Sequence, residues 1–212
     1  MSLAAEEDDG VDELRTAPRA IQFADLPRQP LDQGRGSARE VWADLDTELN
    51  LRWLLRVVEI KDSTGLLVGP GGTHHFVVGL AGPQVAVRTA EASRVLRRDH
   101  VLPVPSATLL FERPKLRPPG ASSLLVLTFV GAADPPGFVI RTADVDAELP
   151  PEAQVLIALR GTVRLDGAEA GQGGALLLDP ALRYRPSAST AHLLTVHRPG
   201  FDDETPGPPD WV

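Results

Sequence analysis

The sequence lacks cysteine altogether, and it contains only one methionine, one tyrosine and 5% aromatic residues. A chain without cysteine cannot form disulfides, thiolate metal sites or a cysteine nucleophile. Long apolar runs are missing as well: Leu124 to Val130 has the length of a strand, whereas a membrane-spanning helix requires about 20 residues. These absences exclude several enzyme classes and predict a protein without a membrane-embedded part.

The chain is rich instead in residues that interrupt secondary structure, with 20 prolines and 19 glycines among 212 residues. They recur at short intervals, a pattern typical of many short strands joined by turns. Apolar residues make up 42% of the chain, enough for one large core or two small ones. We therefore predict an all-β protein with little helix.

The formal net charge of −8 is concentrated at the two ends of the chain. Residues 1–18 contain six acidic residues and one basic residue, and residues 200–212 contain four acidic residues and no basic one. We predict that both ends are disordered acidic tails. Because the remaining body is nearly neutral, nucleic acid is not an expected partner. The first residues also lack the basic and apolar regions of a secretion signal, so we expect a cytoplasmic protein.

One stretch, Ile21 to Glu40, has residue types that core building does not explain. Two prolines fix its backbone and remove hydrogen-bond donors, so we predict a loop up to Gly34. Gly34 and Gly36 permit a positive φ or a close backbone approach beside a dense polar cluster. Arg39 can bind a carboxylate through two parallel hydrogen bonds. The stretch therefore predicts an anion-binding loop, and the alternative is a solvated turn with a surface pair between Arg39 and Glu40.

An internal repeat follows this stretch. Phe76 to Gly82 and the alternating strand after it, Gln84 to Arg88, are similar to Val155 to Gly161 and the strand Thr162 to Asp166. An apolar strand, a glycine and an alternating strand are typical of small antiparallel barrels, and two copies indicate a tandem of cupin-like jelly rolls. The predicted boundaries are 19–133 for the N-terminal barrel and 134–199 for the C-terminal barrel.

The motif Ile21-x-Phe-Ala-Asp-Leu-x-x-x-Pro30, followed by Gly34-x-Gly36-x-x-Arg39-Glu40, resembles the opening motif of the HutD/Ves family. Members of this family have two cupin-like β-barrels and are linked by operon context to histidine utilisation. Where they read Trp-Lys-Asn-Gly-Gly-Gly-x-Thr-Arg-Glu, this chain reads Leu-Asp-Gln-Gly-Arg-Gly-Ser-Ala-Arg-Glu. The resemblance spans residues 19–200 and implies a bicupin fold that binds small intermediates such as N-formylglutamate.

The resemblance also implies the residues of a ligand site. Arg39 and Glu40 are the retained contacts of the motif, whereas Arg35 and Gln33 are this chain's own variation. Trp53 is kept in the following strand, and two histidines stand at the family's Asp and Arg positions. The implied ligand-binding residues are Arg39, Glu40, Arg35, Gln33, Trp53, His75 and His74.

Metal-dependent cupins require two His at positions i and i+2 of one strand, because alternate residues share a face. Here His74 and His75 are adjacent, so we expect their side chains to point to opposite faces of an extended strand. We therefore expect no metal, no other cofactor and no catalytic residue.

The favoured function is the non-catalytic binding of a small polar or anionic metabolite, a carboxylate, in the N-terminal barrel, with a link to histidine or amino-acid catabolism. One alternative is a cupin isomerase or dioxygenase that holds a metal through His74 or His75 together with Glu40 or His100. Another is a degenerate cupin that acts only in protein interaction, for example as a homodimer.

Overall fold

The structure, a computed structural model, describes residues 17–69, 71–98, 100–113, 120–130, 137–142, 148–149, 153–179, 182, 184–185 and 187–197. Within these residues the regular secondary structure is almost all β-strand, and the helical element is a single 3-10 turn, Phe23–Asp25. No helix in this part of the chain is long and apolar enough to cross a membrane. The strands are β1 (Arg19–Gln22), β2 (Gln29–Pro30), β3 (Gln33–Leu45), β4 (Leu51–Val68), β5 (Thr73–Ala81), β6 (Val85–Arg88), β7 (Ser93–Leu96), β8 (Val101–Val104), β9 (Thr108–Glu112), β10 (Ser122–Val130), β11 (Gly137–Thr142), β12 (Ala153–Leu165), β13 (Ala168–Gly171), β14 (Gly174–Leu177) and β15 (Ser187–His197).

The stretch from Ile21 to Glu40 is more regular than the sequence predicts. A loop is expected up to Gly34, but β2 pairs with β3, and β3 already begins at Gln33. The predicted loop is therefore wrong in its second half. Among the described strands β2 pairs with β3 alone and is an edge strand, a position where the missing N–H of a proline is tolerated.

The strands form two antiparallel sheets. The first sheet has the order β7-β6-β9-β4-β10-β5-β8, with β3 paired to β4 and β2 paired to β3. The second has the order β1-β14-β12-β15-β11, with β13 paired to β12. β4 curves the first sheet into a barrel, because its residues 53–60 pair with β10 and its residues 64–68 pair with β9.

The first strand of the chain lies in the second sheet. β1 pairs with β14, from Arg19 opposite Leu177 to Gln22 opposite Gly174. The backbone N–H of Phe23 then donates to the oxygen of Gly173 at 2.9 Å. The segment 19–133, predicted as the N-terminal unit, thus contributes a strand to the sheet that the second half builds.

The buried side chains of the described residues form three clusters, and alternation along β10 shows how two of them are separated. Leu124 and Val126 point to one face of the strand, into the barrel formed by the first sheet. Leu125 and Leu127 point to the other face, toward the second sheet. Both faces of β10 are therefore buried, which explains why its sequence is a nearly continuous apolar run, interrupted at Thr128, rather than an alternating one.

We refer to the three clusters as the barrel core, the intersheet core and the outer core. The barrel core lies inside the first sheet and includes Ala38, Val58, Ile60, Val77, Leu109, Phe111, Leu124 and Val126. The intersheet core joins the sheets and includes Trp53, Val57, Leu125, Leu127, Phe129, Val155, Ile157 and Leu159. The outer core covers the far face of the second sheet and includes Leu156, Ala158, Val163, Leu176, Tyr184 and Leu193.

Some predictions concern residues that the structure does not describe. Both predicted tails fall there except for Ala17 and Pro18, and so do residues 131–136, around the predicted join of the two units. The tails and the boundary between 133 and 134 stay predictions.

Replacement of Gly36 by Ala should destabilise the fold. A Cβ atom at this position would overlap the backbone oxygen of Glu59 and would lie 2.6 Å from Leu31 Cδ1, so β3 and β4 would have to move apart. Overpacking of this kind costs about 1–3 kcal/mol of unfolding free energy. Chemical denaturation would measure it as a lower midpoint with an unchanged slope.

Gly71→Ala is the matched control, because a Cβ atom at Gly71 would meet no other atom within 4 Å. An equal loss of stability in both variants would contradict the close approach of β3 and β4 at Gly36.

Candidate functional site

The two polar residues that end the motif, Arg39 and Glu40, lie on opposite faces of β3. Arg39 pairs with Val57 of β4, which belongs to the intersheet core. Glu40 pairs with Arg56, whose side chain lies on the barrel side of the sheet. The structure therefore does not bring Arg39 and Glu40 together in one pocket.

The adjacent histidines of β5 are separated in the same way. His75 is 1% exposed, and its Nδ1 lies 2.9 Å from Thr128 Oγ1 inside the barrel. His74 points to the other face and stacks on Phe129, with ring centroids 5.5 Å apart. The prediction that the two rings point to opposite faces is confirmed. Among the described residues, no three His, Asp or Glu side chains come together in a group that could hold a metal ion.

The polar centre of the barrel is the His75 cluster, which consists of Arg56, His75 and Thr128 from the neighbouring strands β4, β5 and β10. Arg56 Nη2 donates to Thr128 Oγ1 at 3.3 Å. The hydroxyl of Thr128 can accept this hydrogen bond and donate its own hydrogen to His75 Nδ1. In that arrangement the neutral imidazole carries its proton on Nε2.

Two nitrogen atoms of this cluster, Arg56 Nε and His75 Nε2, are buried without a hydrogen-bond partner in the described part of the chain. Leaving a buried polar group unpaired costs about 1–3 kcal/mol, and more when the group is charged. The described part of the polypeptide therefore leaves these two nitrogen atoms without a hydrogen-bond partner.

The electrostatics of the cluster follow from its burial. Burial is the main reason why the pKa of His75 is lowered to about 4, and the charge of Arg56 adds to the shift. The backbone of Ser106 opposes this shift. Burial also lowers the pKa of Arg56, which the carboxylates of Asp32 and Glu40 oppose. Because arginine keeps its charge at neutral pH, the cluster holds one cation beside a neutral imidazole.

Arg39 makes structural contacts that the sequence does not predict. Its side chain is buried, and its Nη1 donates to the backbone oxygens of Ala24 and Leu26, each at 2.7 Å. Both oxygens belong to the turn after β1, so Arg39 ties the start of the chain to β3. Two hydrogen bonds leave further donors, since a guanidinium carries five N–H groups.

The remaining residues of the implied site are spread over the first sheet. Gln33 and Arg35 are exposed at the beginning of β3. Trp53 is buried in the intersheet core, where it lies opposite Phe129, which in turn lies opposite His74. Of the residues that the sequence implies, Glu40 and His75 are the pair that shares a side of the sheet with Arg56.

Arg56 and Thr128 complete the cluster, and neither was predicted from the sequence. A signal exists, because each is a polar residue inside an apolar strand, between Leu55 and Val57 in one case and between Leu127 and Phe129 in the other. The pattern of one strand does not reveal which strand lies beside it, so only the register of β4 with β10 brings the two side chains together.

Comparison with solved structures shows that this chain has a known fold. No family model and no curated protein matches the sequence. HutD from Pseudomonas fluorescens SBW25 has 16% identity and a TM-score of 0.68, over 87% of this chain and 100% of HutD. The chain has the fold of HutD. A conserved protein of unknown function from Pseudomonas aeruginosa PAO1 matches with 18% identity and a TM-score of 0.65, over 85% of this chain and 97% of that protein.

A similar fold also occurs in an enzyme. An oxalate decarboxylase variant from Bacillus subtilis has 10% identity and a TM-score of 0.52, over 87% of this chain and 78% of the enzyme. At sequence identities this low, the similarity shows a shared fold alone. The prediction of an all-β bicupin with little helix is confirmed.

The pH dependence of stability should report on the buried imidazole of His75. Its pKa of about 4 in the folded protein lies below the ordinary value of 6.5. Between these two values the unfolded chain binds more protons than the folded protein, so the free energy of unfolding rises with pH. Acidification through this range should remove up to about 3 kcal/mol, at 1.36 kcal/mol per pKa unit.

Urea denaturation at a series of pH values measures this loss. His75→Asn keeps a polar group near the position of Nδ1 but cannot titrate, so its stability should fall less on acidification. His74→Asn, on the other face of β5, is the matched control and should lose stability as the wild type does. Equal pH profiles for His75→Asn and the wild type would show that the pH dependence of stability does not come from His75.

Proposed function

We propose that the protein binds a small monocarboxylate in the N-terminal barrel without catalysing a reaction on it. The observation that carries the proposal is the pair of buried, unpaired nitrogen atoms Arg56 Nε and His75 Nε2. The first always carries a hydrogen, and the second carries one when Thr128 donates to Nδ1. Two N–H donors beside a guanidinium charge are complementary to a carboxylate group.

The charges around the cluster limit the ligand. Asp32 and Glu40 act on the pKa of Arg56, and both residues are exposed, so water and salt screen their charges. A single carboxylate is attracted by the half-buried Arg56 and only weakly repelled by the two acids. A second negative charge on the ligand would increase that repulsion. We therefore favour a monocarboxylate over a dicarboxylate or a phosphate.

The HutD-like fold supports this chemistry by analogy. The solved HutD structure comes from a formate condition, and formate is the smallest carboxylate. In the family that the motif resembles, an arginine stands where this chain has His75. Arg56 returns a guanidinium to the same cluster from another strand. A link to histidine or amino-acid catabolism and a cytoplasmic location belong to the proposal as expectations.

A thermal-shift screen of the untagged protein tests the proposal. The panel contains formate, urocanate, histidine and N-formylglutamate, each with and without divalent metal ions. We expect a monocarboxylate to raise the melting temperature in the absence of metal, because a ligand that binds only the folded state stabilises it by mass action. The dianion N-formylglutamate should have a weaker effect.

Arg56→Met distinguishes a ligand contact from a structural arginine. The variant should lose the ligand-induced shift, while its ligand-free stability is kept or increased, because replacing a half-buried guanidinium whose Nε lacks a partner by an apolar side chain removes a desolvation penalty. Arg97→Met, at an exposed position, should respond to ligand as the wild type does. A shift that requires metal would favour the cupin enzyme instead, and no shift with any compound would favour a protein that acts only in interaction or as a homodimer.

A further inference from the structure

A cavity of about 370 Å³ lies between the two sheets, and no residue of the His75 cluster lines it. Its walls come from the turn after β1, from β3, β4, β5 and β10 of the first sheet, and from β12 and the turn between β13 and β14 of the second. The volume lies within the range of about 300–1,000 Å³ that is usual for small-molecule sites. We refer to it as the intersheet cavity.

The intersheet cavity has an apolar floor and a polar rim. Among its lining residues, Phe23 and Leu159 are buried, and both belong to the intersheet core. Gln22, Arg28 and Gln172 also line the cavity but are exposed. A small molecule can therefore enter past polar side chains and place an apolar part against the core.

Among the described residues that line this cavity, three carry a charge: Arg28, Arg39 and Glu59. The two hydrogen bonds of Arg39 to the turn after β1 both use Nη1, so Nη2 and Nε keep their hydrogens for other partners. Glu59 lies opposite Ser37, and Arg39 lies opposite Val57, so both charged side chains share one face of the β3–β4 pair. A fixed cation and a carboxylate thus face the same space.

Neither Arg28 nor Glu59 has an ion pair or a side-chain hydrogen bond within the described part of the chain. Glu59 is half-buried, so water solvates its carboxylate less than it would at a fully exposed position. The intersheet cavity therefore offers unpaired groups of both signs. A ligand with only an anionic group would leave Glu59 unpaired, and one with only a cationic group would leave Arg28 unpaired.

We propose that the intersheet cavity binds a small zwitterion, a free α-amino acid. The carboxylate of the amino acid is bound by Arg28 and Arg39, and its ammonium group is bound by Glu59. The side chain of the amino acid packs on the apolar floor formed by Phe23 and Leu159. This site lies on the opposite face of the first sheet from the His75 cluster, so it does not depend on the function proposed for that cluster.

Isothermal titration of the full chain with each of the twenty L-amino acids at millimolar concentration tests the proposal. The amino acid that binds best is then compared with its N-acetyl derivative, which lacks the ammonium group, and with its decarboxylated amine. Each loses one charge-assisted contact, so we expect affinity to fall about tenfold or more in both cases.

Arg28→Gln and Glu59→Gln assign the two contacts. Each should weaken binding of the amino acid by about tenfold or more, whereas the exposed controls Arg97→Gln and Glu91→Gln should bind as the wild type does. Glu59→Gln should also abolish the preference for the amino acid over its N-acetyl derivative, an effect that a merely structural role of Glu59 would not produce.

Three results would overturn the inference. They are the absence of binding by any amino acid, equal binding of an amino acid and its N-acetyl derivative to the wild type, and binding that Arg56→Met abolishes while Arg28→Gln does not. The last result would place the amino acid in the His75 cluster instead.

Discussion

The burial of both faces of β4 and β10 is the constraint on which the rest of the structure depends. The two strands separate the barrel core from the intersheet core, and successive side chains of each strand point alternately into one core and the other. Arg56 and Thr128 point into the barrel. Glu59 points to the intersheet side. The same alternation that packs the apolar residues therefore places polar groups on two separate surfaces.

A polar side chain in a strand that is buried on both faces lowers the stability of the fold. Its presence therefore indicates a role other than packing. Apolar side chains at the positions of Arg56 and His75 would fill the barrel core without the cost of unpaired buried nitrogen atoms. A sequence that keeps them gives up stability at this point, and departures of this kind are expected where a protein binds something. Arg39 differs, because two backbone oxygens already accept hydrogen bonds from it and hold the turn after β1 against β3.

Particular residues show how far sequence reasoning reaches. The opposite orientation of His74 and His75 follows from adjacency alone, and the structure confirms it. The prolines before Gly34 predict a longer loop than the structure has, because pairing of β2 with β3 overrides a local signal. Arg56 is visible as a charge inside an apolar strand, but its partner Thr128 lies 72 residues away in the chain. No periodicity within one strand contains that information.

Composition and periodicity determined the all-β class, the repeat of strands and the alternation of side chains between the two faces of each strand, because these properties depend on local backbone geometry. The tertiary structure alone decided which strands became neighbours. It brought β1 to the second sheet and joined Arg56, Thr128 and His75 into one cluster. It also opened the cavity between the sheets. The physical reason is that strand pairing is non-local: the same backbone hydrogen bonds can form between many segments, and only the simultaneous burial of all apolar faces selects one register.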